Sequence, residues 1–139
     1  MKAKEFLNRA FFVNQRITSK IEQIKSLESL ATKVTTTFSV VPASGSRNNH
    51  KLEDVITRIV AMEDELRDAI KELLDVKAEI ARTIGMVETN EYRTILELRY
   101  LCLQSWEEIA HNMHFCHSNV YRVHGEALKE FSKIYNRIE

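Results

Sequence analysis

The sequence predicts an all-α protein, in which a long antiparallel helical hairpin of coiled-coil type precedes a compact three-helix unit. Three observations carry that prediction. Only three glycines and one proline occur in 139 residues, far below ordinary usage, so long helices meet few breaks. Apolar residues recur in steps of three and four along two extended stretches, the spacing of a helix face rather than of a strand. A Ser-x-x-Glu box then opens a shorter helix toward the C-terminus.

The first helix is expected over residues 2–34, where Phe6, Ala10, Val13, Ile17, Ile21, Ile24, Leu27, Ala31 and Val34 form one apolar face. The second is expected over residues 50–84. There Leu52, Ile59, Leu66, Leu73 and Ile80 lie seven apart, with Val55, Met62, Ala69 and Val76 interleaved, the pattern of a coiled-coil seam. Each helix would run roughly 50 Å at about 1.5 Å per residue, and the two are expected to pair as a hairpin within residues 1–87. Residues 35–49 hold Pro42, Gly45 and a cluster of Ser, Thr and Asn. They read as a mobile loop, longer than a tight helix–helix connection requires. Gly85 is expected to end the second helix in the left-handed conformation, with Thr89 or Asn90 capping the next. Leu7, Phe11, Phe12, Leu30, Ile56, Val60, Ile70 and Leu74 fall beside the seam, more apolar surface than two helices bury. The C-terminal helices, a second copy forming a four-helix bundle, or a partner protein are the candidates to cover them.

Residues 88–139 read as three helices, roughly Asn90 to Cys102, Ser105 to Met113 and His117 to Ile138. The Ser105 side chain accepts an orphan backbone N–H while Glu108 reaches back to the Ser105 amide, so a helix starts there. Ile109, Ala110 and Met113 face inward, His114 to Cys116 make a break, and Val120, Val123, Ala127, Leu128 and Phe131 resume an apolar stripe. Two helices joined by so short a turn form a helix-turn-helix. Leu96, Leu98, Tyr100, Leu101, Trp106, Ile109 and Phe115 are expected to knit the unit, Trp106 either as a packing anchor or as an exposed stacking platform.

Composition excludes several classes. No apolar run approaches the roughly 20 residues of a membrane span, and MKAKEFLNRAFF has neither a long apolar core nor a small-residue cleavage site, so a cytoplasmic protein is expected. Cys102 and Cys116 are expected as free thiols. His111, His114, Cys116 and His117 cluster, but their spacing repeats no zinc-site pattern, so no metal is expected. No Gly-rich phosphate loop, nucleophile elbow or HExxH sequence is present. No enzyme activity, catalytic residue or cofactor is expected. The net charge is zero but unevenly spread: Lys plus Arg against Asp plus Glu number nine to three in residues 1–51, five to nine in 52–87, and six to eight in 88–139. A basic first helix beside an acidic second one suits an antiparallel pair.

ILELRYL, then SWEEIA, then NVYRVHGEALKEF resembles region 4 of bacterial sigma factors, which runs L-x-L-R-Y/F, a short spacer, S/Y/T-x-x-E-I-A, and then S/T-V with A-L-x-x-L. The combination is more closely similar to small phage and prophage regulators of late transcription of the ArpU and RinA type, through Arg99-Tyr100, Ser105 to Ala110, and Val120 to Leu128. The match covers about residues 90–132. His114 stands at the turn position usually held by glycine, and no segment resembles the sigma regions that bind core polymerase and melt the promoter.

The resemblance implies a sequence-specific module for double-stranded DNA in a bacterial host cell, with RNA polymerase as a second partner. In such docking the first residues of the second helix meet base edges. The DNA-binding candidates are therefore His117, Ser118, Asn119, Tyr121 and Arg122, with Ser105 and Lys129 as phosphate contacts. Arg122 suits bidentate contact with guanine, or else pairs with Glu126 at i,i+4. Asn119 either reads adenine or caps the helix. The acidic excess of this unit makes a lone copy a weak DNA binder, so a homodimer or other homo-oligomer through the hairpin is expected to add affinity. The alternative reading is a coiled-coil adaptor whose C-terminal unit binds protein rather than DNA.

Overall fold

Long apolar periodicity with little glycine or proline produces helices throughout. The structure, a computed structural model, describes residues 1–40 and 45–138. Its elements are α1 (Ala3–Val40), α2 (Gly45–Ile84), α3 (Asn90–Leu96), a π-helical turn (Glu97–Leu101), α4 (Trp106–Met113) and α5 (His117–Ile138), with no strand among the described residues. No helix is long and apolar enough to cross a membrane among those residues.

Both hairpin helices extend farther than their apolar pattern predicts. Residues 35–40 complete α1 and residues 45–49 open α2, so most of the expected loop is helical. Polarity alone misleads here, because a threonine can join a helix by returning its hydroxyl to the preceding turn. Thr35 Oγ1 donates to the Ala31 carbonyl at 2.9 Å and Thr36 Oγ1 to the Thr32 carbonyl at 3.0 Å. Residues 41–44, including Pro42, lie outside the described residues, and with them the remainder of the loop expected over 35–49.

The chain forms two compact units. The one comprising Asn14–Glu72 is an antiparallel helix pair. Arg16 pairs with Glu72, and Lys20 Nζ with Glu65 Oε2 at 2.9 Å, so ascending numbers on α1 meet descending numbers on α2. Ile17, Ile24, Val55 and Ala69 are buried in the seam. Leu27, Val34, Leu52, Ile59, Met62 and Leu66 are only half-buried. Exposed ion pairs contribute roughly 0.2–1 kcal/mol each, so they align the helices while the seam supplies most of the stability.

The other unit joins Met1–Val13 to Leu73–Glu139. The start of α1 and the end of α2 thus share a core with α3, α4 and α5, and the expected division at residues 87/88 does not coincide with the compact units. Aromatic packing explains this. Phe6 meets Phe131 at 6.2 Å and Tyr135 at 5.1 Å between ring centroids. Leu7, Ile80, Ile84, Val87, Ile95, Leu96 and Phe131 are fully buried. Leu7, expected beside the seam, is covered in this way, whereas Phe11, Phe12 and Leu74 stay exposed.

Gly85 is not in the left-handed conformation expected of it, since no glycine among the described residues has positive φ. Its amide donates to the Ala81 carbonyl at 2.9 Å, and two tight three-residue steps follow, Met86 N to Thr83 O at 3.1 Å and Val87 N to Ile84 O at 2.9 Å. Three-residue hydrogen bonds satisfy the last carbonyls and end α2 without a left-handed residue. Thr89 is the N-cap of α3, without a side-chain cap hydrogen bond.

Candidate nucleic-acid interface

The C-terminal helices owe their angles to three local devices. At the end of α3 the backbone widens: the Cys102 amide donates to the Glu97 carbonyl at 3.0 Å, a five-residue step, and Leu103 then adopts φ 56°. Arg99 Nη1 donates to the Gln104 carbonyl at 2.9 Å and closes the corner. Ser105 then starts α4 with both halves of the capping box, Glu108 N to Ser105 Oγ at 3.2 Å and Ser105 N to Glu108 Oε2 at 3.4 Å. Finally, His114 closes α4 at φ 57° and ψ 40°, with the Phe115 amide donating to the Ala110 carbonyl at 2.9 Å. Histidine holds the left-handed position that the resemblance assigns to glycine, at a cost on the order of 1 kcal/mol.

This turn sets α5 beside α4 with Val120, Val123, Ala127, Phe131 and Tyr135 facing inward. The opposite side of the first turns presents His117, Ser118, Tyr121 and Arg122 to solvent, and Lys129 two turns farther along the same face. Asn119 is half-buried beside them. Ser105 stands apart at the start of α4, its hydroxyl taken by the cap.

Asn119 and Arg122 are already partnered. Asn119 Oδ1 accepts from Arg122 Nε at 3.2 Å and Nη2 at 2.6 Å, so its side chain neither caps α5 nor stands free for a base edge. Arg122 Nη1 reaches both carboxylate oxygens of Glu126, at 3.2 and 3.4 Å. Glu126 also accepts from the Tyr92 hydroxyl at 2.7 Å. That hydrogen bond first, and the Arg122 and Lys129 cations after it, hold the Glu126 carboxyl below its ordinary range. The same carboxylate pushes the Tyr92 phenol up. Lys129 lines a groove of about 540 Å³ with Tyr92, Glu126, Glu130 and Lys133. Ser118 Oγ lies 3.3 Å from Cys116 Sγ, and this contact, with nearby backbone amides, holds the exposed Cys116 thiol below its usual range. Among the described residues no three His, Cys, Asp or Glu side chains converge as metal ligands would.

Beneath this face lies a cluster in which Tyr100 and Trp106, expected to knit the unit, are joined by His124 and Arg99, to which the sequence assigned no packing role. Tyr100 Oη and His124 Nε2 share a buried 2.8 Å hydrogen bond. Burial first, then the Lys4 and Arg99 charges, lowers His124 to about 4. Burial raises Tyr100 to about 12. Trp106 meets His124 edge-on at 4.6 Å and Tyr121 at 5.5 Å, and the Arg99 guanidinium sits 4.2 Å from the Trp106 ring. Trp106 is therefore a half-buried anchor that ties the π-helical turn, α4 and α5 together. Arg99, Tyr100 and His124 stand in the motif stretches quoted above, but residues 24 positions apart carry no local sign of pairing.

No curated protein and no solved structure matches this chain. A family described as "protein of unknown function" (DUF1492) matches residues 33–132, well over half of the sequence and including all of α2, α3 and α4. The chain belongs to the DUF1492 family.

Proposed function

We propose that this protein is a DNA-binding transcriptional regulator of phage type, reading promoter DNA with the first turns of α5 and contacting RNA polymerase. The observation that carries the reading is the helix-turn-helix itself. A capped α4, a left-handed turn at His114, and an α5 whose inward stripe is apolar leave His117, Ser118, Tyr121 and Arg122 on the outward face. A helix so presented suits a major groove, and the resemblance of SWEEIA and NVYRVHGEALKEF to sigma region 4 supports the same use.

Glu126 acts against DNA in this reading, since it neutralises Arg122 next to where phosphates and bases would lie. The test is fluorescence anisotropy with promoter DNA from the protein's own gene neighbourhood against random DNA. Arg122→Ala is expected to lose about tenfold or more in affinity for the preferred sequence, in line with roughly 1–3 kcal/mol for a base contact. Glu126→Gln is expected to bind more tightly, with a steeper salt dependence, because one more cation then reaches the phosphate field. Wild type binding all DNA alike, or Arg122→Ala binding unchanged, would remove the proposal.

One observation favours the second reading, a coiled-coil adaptor whose C-terminal unit binds protein. The exposed cation Arg122 is held by Asn119 and Glu126 within its own helix. In that case polymerase binding would survive Arg122→Ala without any DNA preference.

A further inference from the structure

We infer that Tyr92 of α3, a residue outside the helix-turn-helix, is a positioning residue for base reading: through Glu126 it fixes the guanidinium of Arg122, which Asn119 holds on another edge, so that Arg122 reads one guanine. The inference deepens the regulator reading and rests on it. A row of hydrogen bonds runs from α3 along α5. The Tyr92 hydroxyl donates to Glu126 Oε2 at 2.7 Å, and Arg122 Nη1 donates to both oxygens of the same carboxylate at 3.2 and 3.4 Å. Arg122 Nε and Nη2 donate to Asn119 Oδ1 at 3.2 and 2.6 Å.

Asn119, Arg122 and Glu126 stand at i, i+3 and i+7, so they share a strip of one helix face. Tyr92 alone in this row comes from another element, 34 positions from Glu126. Pairs within one exposed helix leave both long side chains free to swing and order little by themselves. The bond from α3 ties the carboxylate to the packed unit, since Tyr92 is half-buried whereas Arg122 faces solvent. That hydrogen bond is also the largest influence holding the Glu126 carboxyl below its ordinary range, ahead of the Arg122 and Lys129 cations.

Asn119 takes the Nε N–H and a single N–H of Nη2, which leaves Nη2 a further donor. The oxygens of one carboxylate lie close enough for a single Nη1 N–H to serve both, which leaves Nη1 a further donor as well. A bidentate contact with guanine O6 and N7 draws on such a pair from neighbouring nitrogens. A guanidinium already held on two edges meets that base without first being ordered, and ordering a long side chain at an interface otherwise weakens binding about two- to tenfold. Released from Glu126, the same side chain reaches phosphates as readily as bases, and phosphate contacts carry no sequence information. The Glu126 charge thus lowers affinity for DNA while the row it belongs to raises selectivity.

The test is anisotropy of labelled promoter and random DNA with the full chain over a range of salt, for wild type, Tyr92→Phe, Asn119→Ala, Arg122→Ala and the Tyr92→Phe, Arg122→Ala double variant. Tyr92→Phe removes a hydroxyl and no charge, so it is expected to lower the preference for promoter DNA by about two- to tenfold at an unaltered salt slope. Asn119→Ala is expected to act alike, and single base-pair substitutions to place its effect at the same guanine as that of Arg122→Ala. In the Arg122→Ala background Tyr92→Phe is expected to change nothing further, because a residue acting only through Arg122 then has nothing to position. Should circular dichroism show that Tyr92→Phe loses helix, Asn119→Ala carries the test. Additive effects of Tyr92→Phe and Arg122→Ala overturn the inference, as does an Asn119→Ala effect located at an adenine. A promoter preference untouched by Tyr92→Phe defeats this inference alone, whereas wild type binding all DNA alike defeats the regulator reading and this inference with it.

Discussion

At the scale of single residues, the chemistry of the C-terminal unit turns on which polar groups are satisfied from within. His124 is the sharpest case. Unfolded, it titrates near 6.5; folded, burial holds it at about 4. Between those values the unfolded chain binds a proton that the folded chain does not, so stability is complete above about pH 6.5 and falls as pH drops toward 4. The loss is at most about 3 kcal/mol from this group. Urea unfolding followed by the fluorescence of Trp106, the sole tryptophan, is expected to show a lower midpoint at about pH 5 than at about pH 7. His124→Phe is expected to flatten that acid dependence while lowering stability at neutral pH, because the Tyr100 hydroxyl loses its partner. An unchanged acid slope in His124→Phe would show that the proton goes elsewhere. Arg122 illustrates what residue type leaves open: a guanidinium at this place suits a guanine or a carboxylate, and only the placement of Glu126 and Asn119 shows which partners hold it.

At the scale of elements, a local signal proved sufficient at the start of α4, where two local hydrogen bonds have their own residue signature. The Ser105–Glu108 box is legible in four residues because both of its bonds close within those four. Ser105→Ala is expected to cost about 1 kcal/mol, the usual worth of such a cap, and Ser105→Thr to retain most of it; equilibrium unfolding measures both. A Ser105→Ala chain of unaltered stability would mean the hydroxyl does no capping in solution, leaving it available as the phosphate contact named from sequence. The π-helical turn at Glu97–Leu101 had no such signature. Its widened backbone accompanies two contacts, Arg99 with the Gln104 carbonyl and Tyr100 with His124, neither of which periodicity registers. The extension of α1 past residue 34 was hidden for a related reason: threonine is read as loop chemistry, whereas here its hydroxyls turn back onto the helix.

At the scale of the whole molecule, the two compact units cut across the division that the sequence implies, because the first turns of α1 serve the C-terminal core. Phe6 covers Phe131 and Tyr135, so Phe6→Ala is expected to lower the Trp106-monitored unfolding midpoint by the equivalent of about 3–5 kcal/mol. A midpoint that did not move would mean the C-terminal helices fold without α1. The all-helical class, the hairpin, the helix-turn-helix and the faces of its helices were determined by the sequence alone, through 3.6-residue periodicity and a capping box, since these are set by neighbours a few positions away. Only the tertiary structure decided that Leu7 is buried while Ile56, Val60 and Ile70 are not, that Glu126 is also held by Tyr92, and that His124 lies neutral against Tyr100. Those outcomes depend on residues tens of positions apart arriving at the same place, and neither hydropathy nor spacing along the chain encodes that distance.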